Sequence, residues 1–130
     1  EKEEENVKQE ILDYVYEQVV HAYTTTYGKL PLQQPFQDDA QVKRDITEQV
    51  LRQRLVPGIY LKTKNNTKVV VFTKRFVDDL ATHFPQIANL RSLAELFNWE
   101  YGETRIGGDV LYGVSVPLDK LAEMLAGKEE

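Results

Sequence analysis

Apolar residues recur at helical spacing near the start of the chain. The stripe comprises Ile11, Val15, Val19 and Ala22. Steps of three or four residues bring side chains onto one face of a helix, so the pattern predicts an amphipathic helix from about Val7 to Tyr23. Tyr16, Tyr23 and Tyr27 lie beside the stripe, and they make the apolar face wider than one packing contact needs.

The helical pattern stops in a segment rich in turn-forming residues. Gly28, Pro31 and Pro35 interrupt it, so the stretch 24–37 is expected to be a connecting loop. The apolar residues of this loop are expected to anchor it to the body of the protein. They are Leu30, Leu32 and Phe36.

A second helix and a β-hairpin are predicted in the centre of the chain. Asp38 or Asp39 is suited to cap a helix that extends to about Leu55, with Pro57-Gly58 as its end. Two strand-like runs then flank Asn65-Asn66, and asparagine tolerates the positive φ angles of a two-residue turn. This turn sets a register whose pairs are Ile59–Phe72, Tyr60–Val71, Leu61–Val70 and Lys62–Val69.

The remainder of the chain predicts two short helices, a second hairpin and a last helix. Thr73 and Asn89 are suited to cap the two short helices, the second of which covers Leu90–Trp99. From Gly102 the pattern is irregular until a hairpin that turns at residues 107–109. Pro117 then suits the first turn of a final helix.

From residue 38 onward this order of helix, strand, helix, helix and hairpin resembles the winged helix-turn-helix superfamily. The resemblance implies an α+β, winged-helix-like body over 38–130 with an extra β-hairpin. A long N-terminal amphipathic helix and its connecting loop, residues 1–37, precede it in one compact domain. The resemblance also assigns Arg91 to the recognition helix and Arg105 to the wing.

Composition narrows the class of protein. The 130 residues are 42% hydrophobic and 28% charged, as is usual for a globular domain. The absence of cysteine excludes disulfides, thiolate metal sites and a cysteine nucleophile, and it suits a reducing, cytoplasmic compartment. No apolar run has the roughly 20 residues that a membrane helix needs, so no membrane association is expected.

The charge is unevenly distributed along the chain. Residues 1–40 carry a net charge of −6, residues 41–75 carry +7 and residues 76–130 carry −6. The basic centre comprises Lys43, Arg44, Arg52, Arg54, Lys62, Lys64, Lys68, Lys74 and Arg75. Several cations on one face neutralise phosphates, so the segment predicts DNA or RNA binding in replication, segregation or transcriptional control. The alternative is a charged surface balanced by acidic neighbours in the same molecule.

A second hypothesis is a protein–protein adaptor, which forms a homodimer or binds another partner through aromatic residues. The candidate interface residues are Tyr16, Tyr23, Tyr27 and Trp99, with Tyr101 beside Trp99. Tyrosine and tryptophan are enriched at interfaces. The alternative is that these rings cover the core of the same domain.

Catalytic and metal chemistry find weak support in the sequence. Asp13, Glu17 and His21 are four residues apart on one helix, but a metal site needs ligands from a second element. Asp79 and His83 suit the dipole of their own helix. Ser92 and Ser115 lack a glycine elbow and a histidine partner. The chain is therefore expected to be non-catalytic, with no metal and no cofactor.

Overall fold

The structure is a computed structural model that describes residues 2–127, and it is a mixed α+β protein. In chain order its elements are α1 (Lys2–Tyr27), α2 (Asp39–Arg52), β1 (Ile59–Lys64), β2 (Thr67–Thr73), α3 (Lys74–His83), α4 (Leu90–Phe97), β3 (Glu100–Ile106), β4 (Asp109–Pro117) and α5 (Leu118–Leu125). The strands form one antiparallel sheet in the order β1-β2-β4-β3. Tertiary contacts divide the chain into a helical unit, which comprises α1, α2 and α5, and a sheet unit, which spans Pro57–Pro117.

The helical unit buries one apolar stripe from each of its three helices. The predicted stripe of α1 is confirmed for Ile11, Val15 and Val19, which are buried, whereas Ala22 is half-buried. The helix is longer than predicted at both ends, and its 26 residues span about 39 Å. From α2 and α5 the largest buried side chains are Leu51, Leu118 and Leu121. Helix α2, predicted to belong to the winged-helix-like body, groups here with α1 and α5.

The loop between α1 and α2 differs from its prediction. Leu32 and Phe36 are 86% and 87% exposed, and Leu30 is only partly buried. Every residue from 31 to 38 is exposed, so no other element covers this part of the loop. The prediction that Leu32 and Phe36 anchor the loop is therefore wrong.

The first hairpin of the sheet unit confirms its prediction in full. The β1–β2 pairs include Ile59 with Phe72 and Lys62 with Val69. Asn65 and Asn66 have φ angles of 54° and 63°, which are the left-handed values that a two-residue turn requires. The second hairpin turns at Gly107-Gly108. Its strand β3 begins at Glu100 and runs through the stretch that was predicted to be irregular from Gly102.

Two helix starts in the sheet unit use different contacts. Asn89 caps α4 as predicted, because its side-chain oxygen accepts from the backbone N–H of Ser92 at 2.9 Å. Thr73 precedes α3, but its hydroxyl donates to the carbonyl oxygen of Gly58 at 2.8 Å and makes no cap hydrogen bond. A Cβ on Gly58 would lie 2.6 Å from the backbone nitrogen of Phe76, so glycine is required at this close approach.

Aromatic rings fill the core of the sheet unit. The ring of Trp99 stacks on Phe97, with centroids 4.3 Å apart, and on Phe72, with centroids 5.6 Å apart. All three side chains are buried. The core thus fixes α4 against the sheet, and it places the start of α4 beside the strands that line the candidate site.

Candidate nucleic-acid interface

The nine cations of the basic centre lie in both units. Lys43, Arg44, Arg52 and Arg54 belong to the helical unit, and the other five belong to the sheet unit. The sheet unit holds seven Lys or Arg residues and six Asp or Glu residues, a net charge of +1, so the net negative charge of the chain resides outside it.

Most cations of the helical unit are matched by carboxylates. Lys43 lies 3.5 Å from Asp39, and its ammonium group also donates to the carbonyl oxygen of Leu125 at 2.9 Å. Arg44 contacts Glu48 at 2.8 Å and also bonds to Asp119. The hydrogen bond to Asp119 is the largest cause that raises the pKa of Arg44.

Arg52 and Arg54 lie at the C-terminal end of α2. Arg52 lies 3.6 Å from Glu48, the carboxylate that also binds Arg44. Arg54 follows the helix with a φ angle of 56° and is exposed. Because Glu48 is shared by two arginines, its negative charge is already compensated within the helical unit.

The hairpin lysines divide between the two faces of the sheet. The register places Lys62 and Lys64 on one face and Lys68 on the other. Lys62 donates to the Thr104 hydroxyl at 2.9 Å and to the Arg105 carbonyl oxygen at 3.3 Å, and so it reaches from β1 to β3. A cavity of about 360 Å³ is lined by Lys62, Lys64 and Arg105, but two carboxylates, Glu100 and Glu103, line it as well.

The largest cavity described in the sheet unit, which we call the tyrosine hollow, has a volume of about 870 Å³. It lies where α3 and α4 begin and is bounded on the other side by the strands. Its polar and aromatic lining includes Lys74, Arg75, Asp78, Arg91, Tyr60, Tyr101 and Tyr112. Two cations of the predicted basic centre therefore meet a third, Arg91, at one open cavity.

Local sequence explains how these cations converge. Lys74 and Arg75 are the first residues of α3, which follows β2 directly. Arg91 is the second residue of α4, immediately after the cap residue Asn89. Free backbone N–H groups at helix N-termini favour anions, so both helix starts add positive potential at the hollow.

The three cations of the hollow are compensated to different degrees. Lys74 lies 2.8 Å from Asp78 on the next turn of α3. The guanidinium carbon of Arg91 lies 5.0 Å from the ring centroid of Tyr101, a cation–π contact. Within residues 2–127, no carboxylate lies within ion-pair distance of Arg75 or Arg91.

Two tyrosines of the hollow form a stacked pair on neighbouring strands. The ring centroids of Tyr101 and Tyr112 are 5.8 Å apart, with an angle of 16° between the rings. Tyr112 is 54% exposed. Tyr112 and Arg91 were missing from the predicted site, although the Gly107-Gly108 turn fixes a register in which Tyr101 and Tyr112 share a face.

The predicted partner-interface residues occupy different environments. Tyr16 lies under the ammonium group of Lys43, 4.9 Å from its ring centroid, and burial and then Asp39 raise the pKa of Tyr16. Tyr23 and Tyr27 pack with centroids 4.7 Å apart, and Tyr27 is 42% exposed. Trp99 is buried in the core of the sheet unit. This ring therefore covers the core of its own domain, which was the alternative to a partner interface.

Side chains considered for catalysis make local contacts. His83 Nδ1 lies 3.3 Å from the carbonyl oxygen of Asp79, and the Ser92 hydroxyl donates to the Asn89 side chain at 3.1 Å. Among residues 2–127, no cluster of three or more His, Cys, Asp or Glu side chains could hold a metal ion. In the same range no helix is both long enough and apolar enough to span a bilayer.

Comparison of the chain with protein-family models, with curated proteins and with solved structures found no match. The candidate interface therefore depends on the geometry and chemistry of the chain itself.

Proposed function

We propose that the chain is a non-catalytic nucleic-acid-binding module that contacts phosphates through its sheet unit. The observation that supports this proposal best is the meeting of Lys74, Arg75 and Arg91 at the tyrosine hollow. Lysine and arginine bind phosphate oxygens by charge and hydrogen bonds. Lys62, Lys64 and Lys68 at the tip of the first hairpin add positive charge to the same unit.

The element order supports a winged-helix-like arrangement for this unit. Strand β2 is followed by two helices, α3 and α4, and then by the β3–β4 hairpin, which corresponds to the wing. Strand β1 is an addition to that pattern. In this arrangement α4 is the recognition helix, and Arg91 is the one cation on it.

The proposal is tested by the salt dependence of oligonucleotide binding. Fluorescence anisotropy with labelled DNA and RNA is expected to show binding near 50 mM salt that weakens steeply toward about 200 mM, because bound counterions are released on association. An Arg75→Ala substitution is expected to weaken binding about fivefold and to lower the salt slope by about 1.

Arg52→Ala is the matched control, because Arg52 is also an exposed arginine of the basic centre but lies beside Glu48 in the helical unit. It is expected to leave the affinity unchanged. No binding to any oligonucleotide at low salt contradicts the proposal. Equal losses in the Arg75 and Arg52 variants contradict the assignment to the sheet unit.

A second candidate function, a protein-interaction module, is supported by the apolar exposure of the helical unit. Leu32 and Phe36 are almost fully exposed, and Tyr27 is also exposed. Contiguous apolar patches are typical of binding surfaces, and Leu32 and Phe36 lie only four residues apart in one loop. These residues belong to the helical unit, and the residues of the tyrosine hollow belong to the sheet unit.

The second candidate is tested by self-association, with the double substitution Leu32→Ser and Phe36→Ser. Analytical ultracentrifugation is expected to show a dimer for the parent chain and a monomer for the variant, because loss of two apolar anchors removes several kcal/mol, roughly 2–4, of interface energy. A Gln33→Ser variant, which changes an exposed polar neighbour, is expected to dimerise normally. A monomeric parent chain at high concentration contradicts the homodimer.

A further inference from the structure

We infer that the tyrosine hollow binds an unpaired nucleotide of a single-stranded nucleic acid, with the base stacked on Tyr112 and the adjacent phosphates held by Lys74 and Arg75. This inference rests on the proposed function and names its ligand class. The ligand is a DNA or RNA strand in which the faces of the bases are accessible.

The hollow presents an aromatic surface that is only partly used for packing within the protein. Tyr101 and Tyr112 already stack on each other at 5.8 Å, yet more than half of Tyr112 is open to solvent. Its neighbour on the same face of β4, Val110, is 52% exposed. A nucleobase has flat, weakly hydrated faces, and stacking one of them on Tyr112 removes both surfaces from water. Stacking of this kind on tyrosine tolerates any base.

Positively charged side chains line the hollow beside that aromatic surface. Arg91 lies over the ring of Tyr101, so a guanidinium group and two aromatic rings make one continuous set of stacking groups. Lys74 and Arg75 line the same cavity from the start of α3. This combination of stacking rings and cations supplies both interactions that proteins use on single strands.

The size of the hollow suits a nucleotide, and its aromatic surface favours an unstacked base over a duplex. A volume of about 870 Å³ lies in the range of sites that enclose a ligand as large as a nucleotide. A base in a duplex has both faces covered by its neighbours, so stacking on Tyr112 requires a base that is already unstacked. Duplex binding by the phosphate contacts alone is therefore weaker at this site.

Among the described residues, Asp78 is the one acidic residue in the lining of the hollow. It pairs with Lys74 at 2.8 Å and so competes with phosphate for that lysine. Arg75 has no such competitor among the described residues. Arg75 is therefore the main phosphate contact in this inference, and Tyr112 is the main base contact.

The experiment compares three labelled ligands on the full chain near 50 mM salt: oligo(dT) and oligo(rU) of about 12 nucleotides, and a blunt DNA duplex of about the same length. Anisotropy is expected to show single strands bound about tenfold more tightly than the duplex. Similar affinities for oligo(dT) and oligo(rU) indicate recognition of base and phosphate. Binding of only one of the two single strands also supports the inference, and it shows whether the site accepts deoxyribose or ribose.

Two substitutions at Tyr112 separate stacking from a structural role. Tyr112→Leu is expected to weaken single-strand binding about tenfold and to change duplex binding by less than about twofold. Tyr112→Phe retains the ring and is expected to retain the affinity. Tyr14→Leu, at a partly exposed tyrosine of α1 in the helical unit, is the matched control and is expected to have no effect.

The outcomes distinguish this inference from the proposed function. If the duplex binds as tightly as the single strands, or if Tyr112→Leu has no effect on a folded variant, the inference is overturned while the proposed function stands. If none of the three ligands binds at low salt, both are overturned, and the hollow belongs to another class of ligand. Circular dichroism of each variant establishes that it is folded.

Discussion

The helical unit and the sheet unit use their arginines in opposite ways. In the helical unit, Arg44 lies among carboxylates from its own helix and from α5. In the sheet unit, Arg91 lies over an aromatic ring, and Arg75 lines an open cavity with no carboxylate within ion-pair distance among the described residues. Arg44 therefore links two helices of the helical unit, whereas Arg75 and Arg91 have no carboxylate partner among the described residues.

This difference shows why a run of basic residues in sequence does not define a binding surface. The basic centre crosses the boundary between the two units at Pro57. Its first cations face carboxylates, most of which lie four residues away on α2, whereas Asp119 lies 75 residues from Arg44. What distinguishes a ligand contact from an internal contact is the local balance of charge, which depends on tertiary structure.

Among the substitutions that test this difference between the units, Arg44→Ala is expected to have the largest effect, a loss of stability. This substitution removes hydrogen bonds to two carboxylates and leaves Glu48, whose side chain is 15% exposed, without its closest cation. The free energy of unfolding is expected to fall by about 1.5 kcal/mol, the usual value for a hydrogen bond to a charged group. Urea denaturation followed by circular dichroism measures this change.

Lys120→Ala is the matched control, since Lys120 is an exposed cation on α5 next to Asp119. It is expected to change stability by less than about 0.5 kcal/mol. Nucleic-acid affinity is expected to be the same in both variants. A loss of affinity without a loss of stability in the Arg44 variant contradicts the division of roles between the two units.

A smaller effect of opposite sign is predicted for Asp78→Asn in the sheet unit. The substitution removes the carboxylate of the tyrosine hollow and releases Lys74 from its ion pair. Oligonucleotide affinity is expected to rise about threefold at low salt, and the gain is expected to disappear at high salt because the charges are exposed. Stability is expected to change little, since exposed pairs of this spacing contribute only about 0.3–0.5 kcal/mol.

Asp79→Asn provides the control for this experiment, because Asp79 is the next residue of α3 and does not line the hollow. Neighbouring helix positions point about 100° apart, so its carboxylate is directed away from Lys74. The two variants have the same net charge. An equal rise in affinity for both indicates a general effect of net charge and removes Asp78 from the site.

Local signals in the sequence predicted the elements better than they predicted the site. The Asn65-Asn66 turn and the cap at Asn89 were predictable because neighbouring residues determine both. The exposure of Leu32 and Phe36 was not, because an apolar residue in a loop is buried only if another element covers it. The contact between Arg91 and Tyr101 depends on packing of α4 against β3, which no local pattern specifies.

The helical unit is assembled from two segments of chain that the whole sheet unit separates. The bond between Arg44 and Asp119 and the bond from Lys43 to the Leu125 carbonyl close loops of 75 and 82 residues. On the ribosome, α1 and α2 emerge long before α5. The apolar side chains that α5 covers therefore remain exposed to solvent while residues 57–117 are translated. The sheet unit is continuous in sequence and has no such delay, and closing short loops costs less entropy than closing long ones. During synthesis from the N-terminus, the helical unit is therefore completed only when α5 packs against α1 and α2.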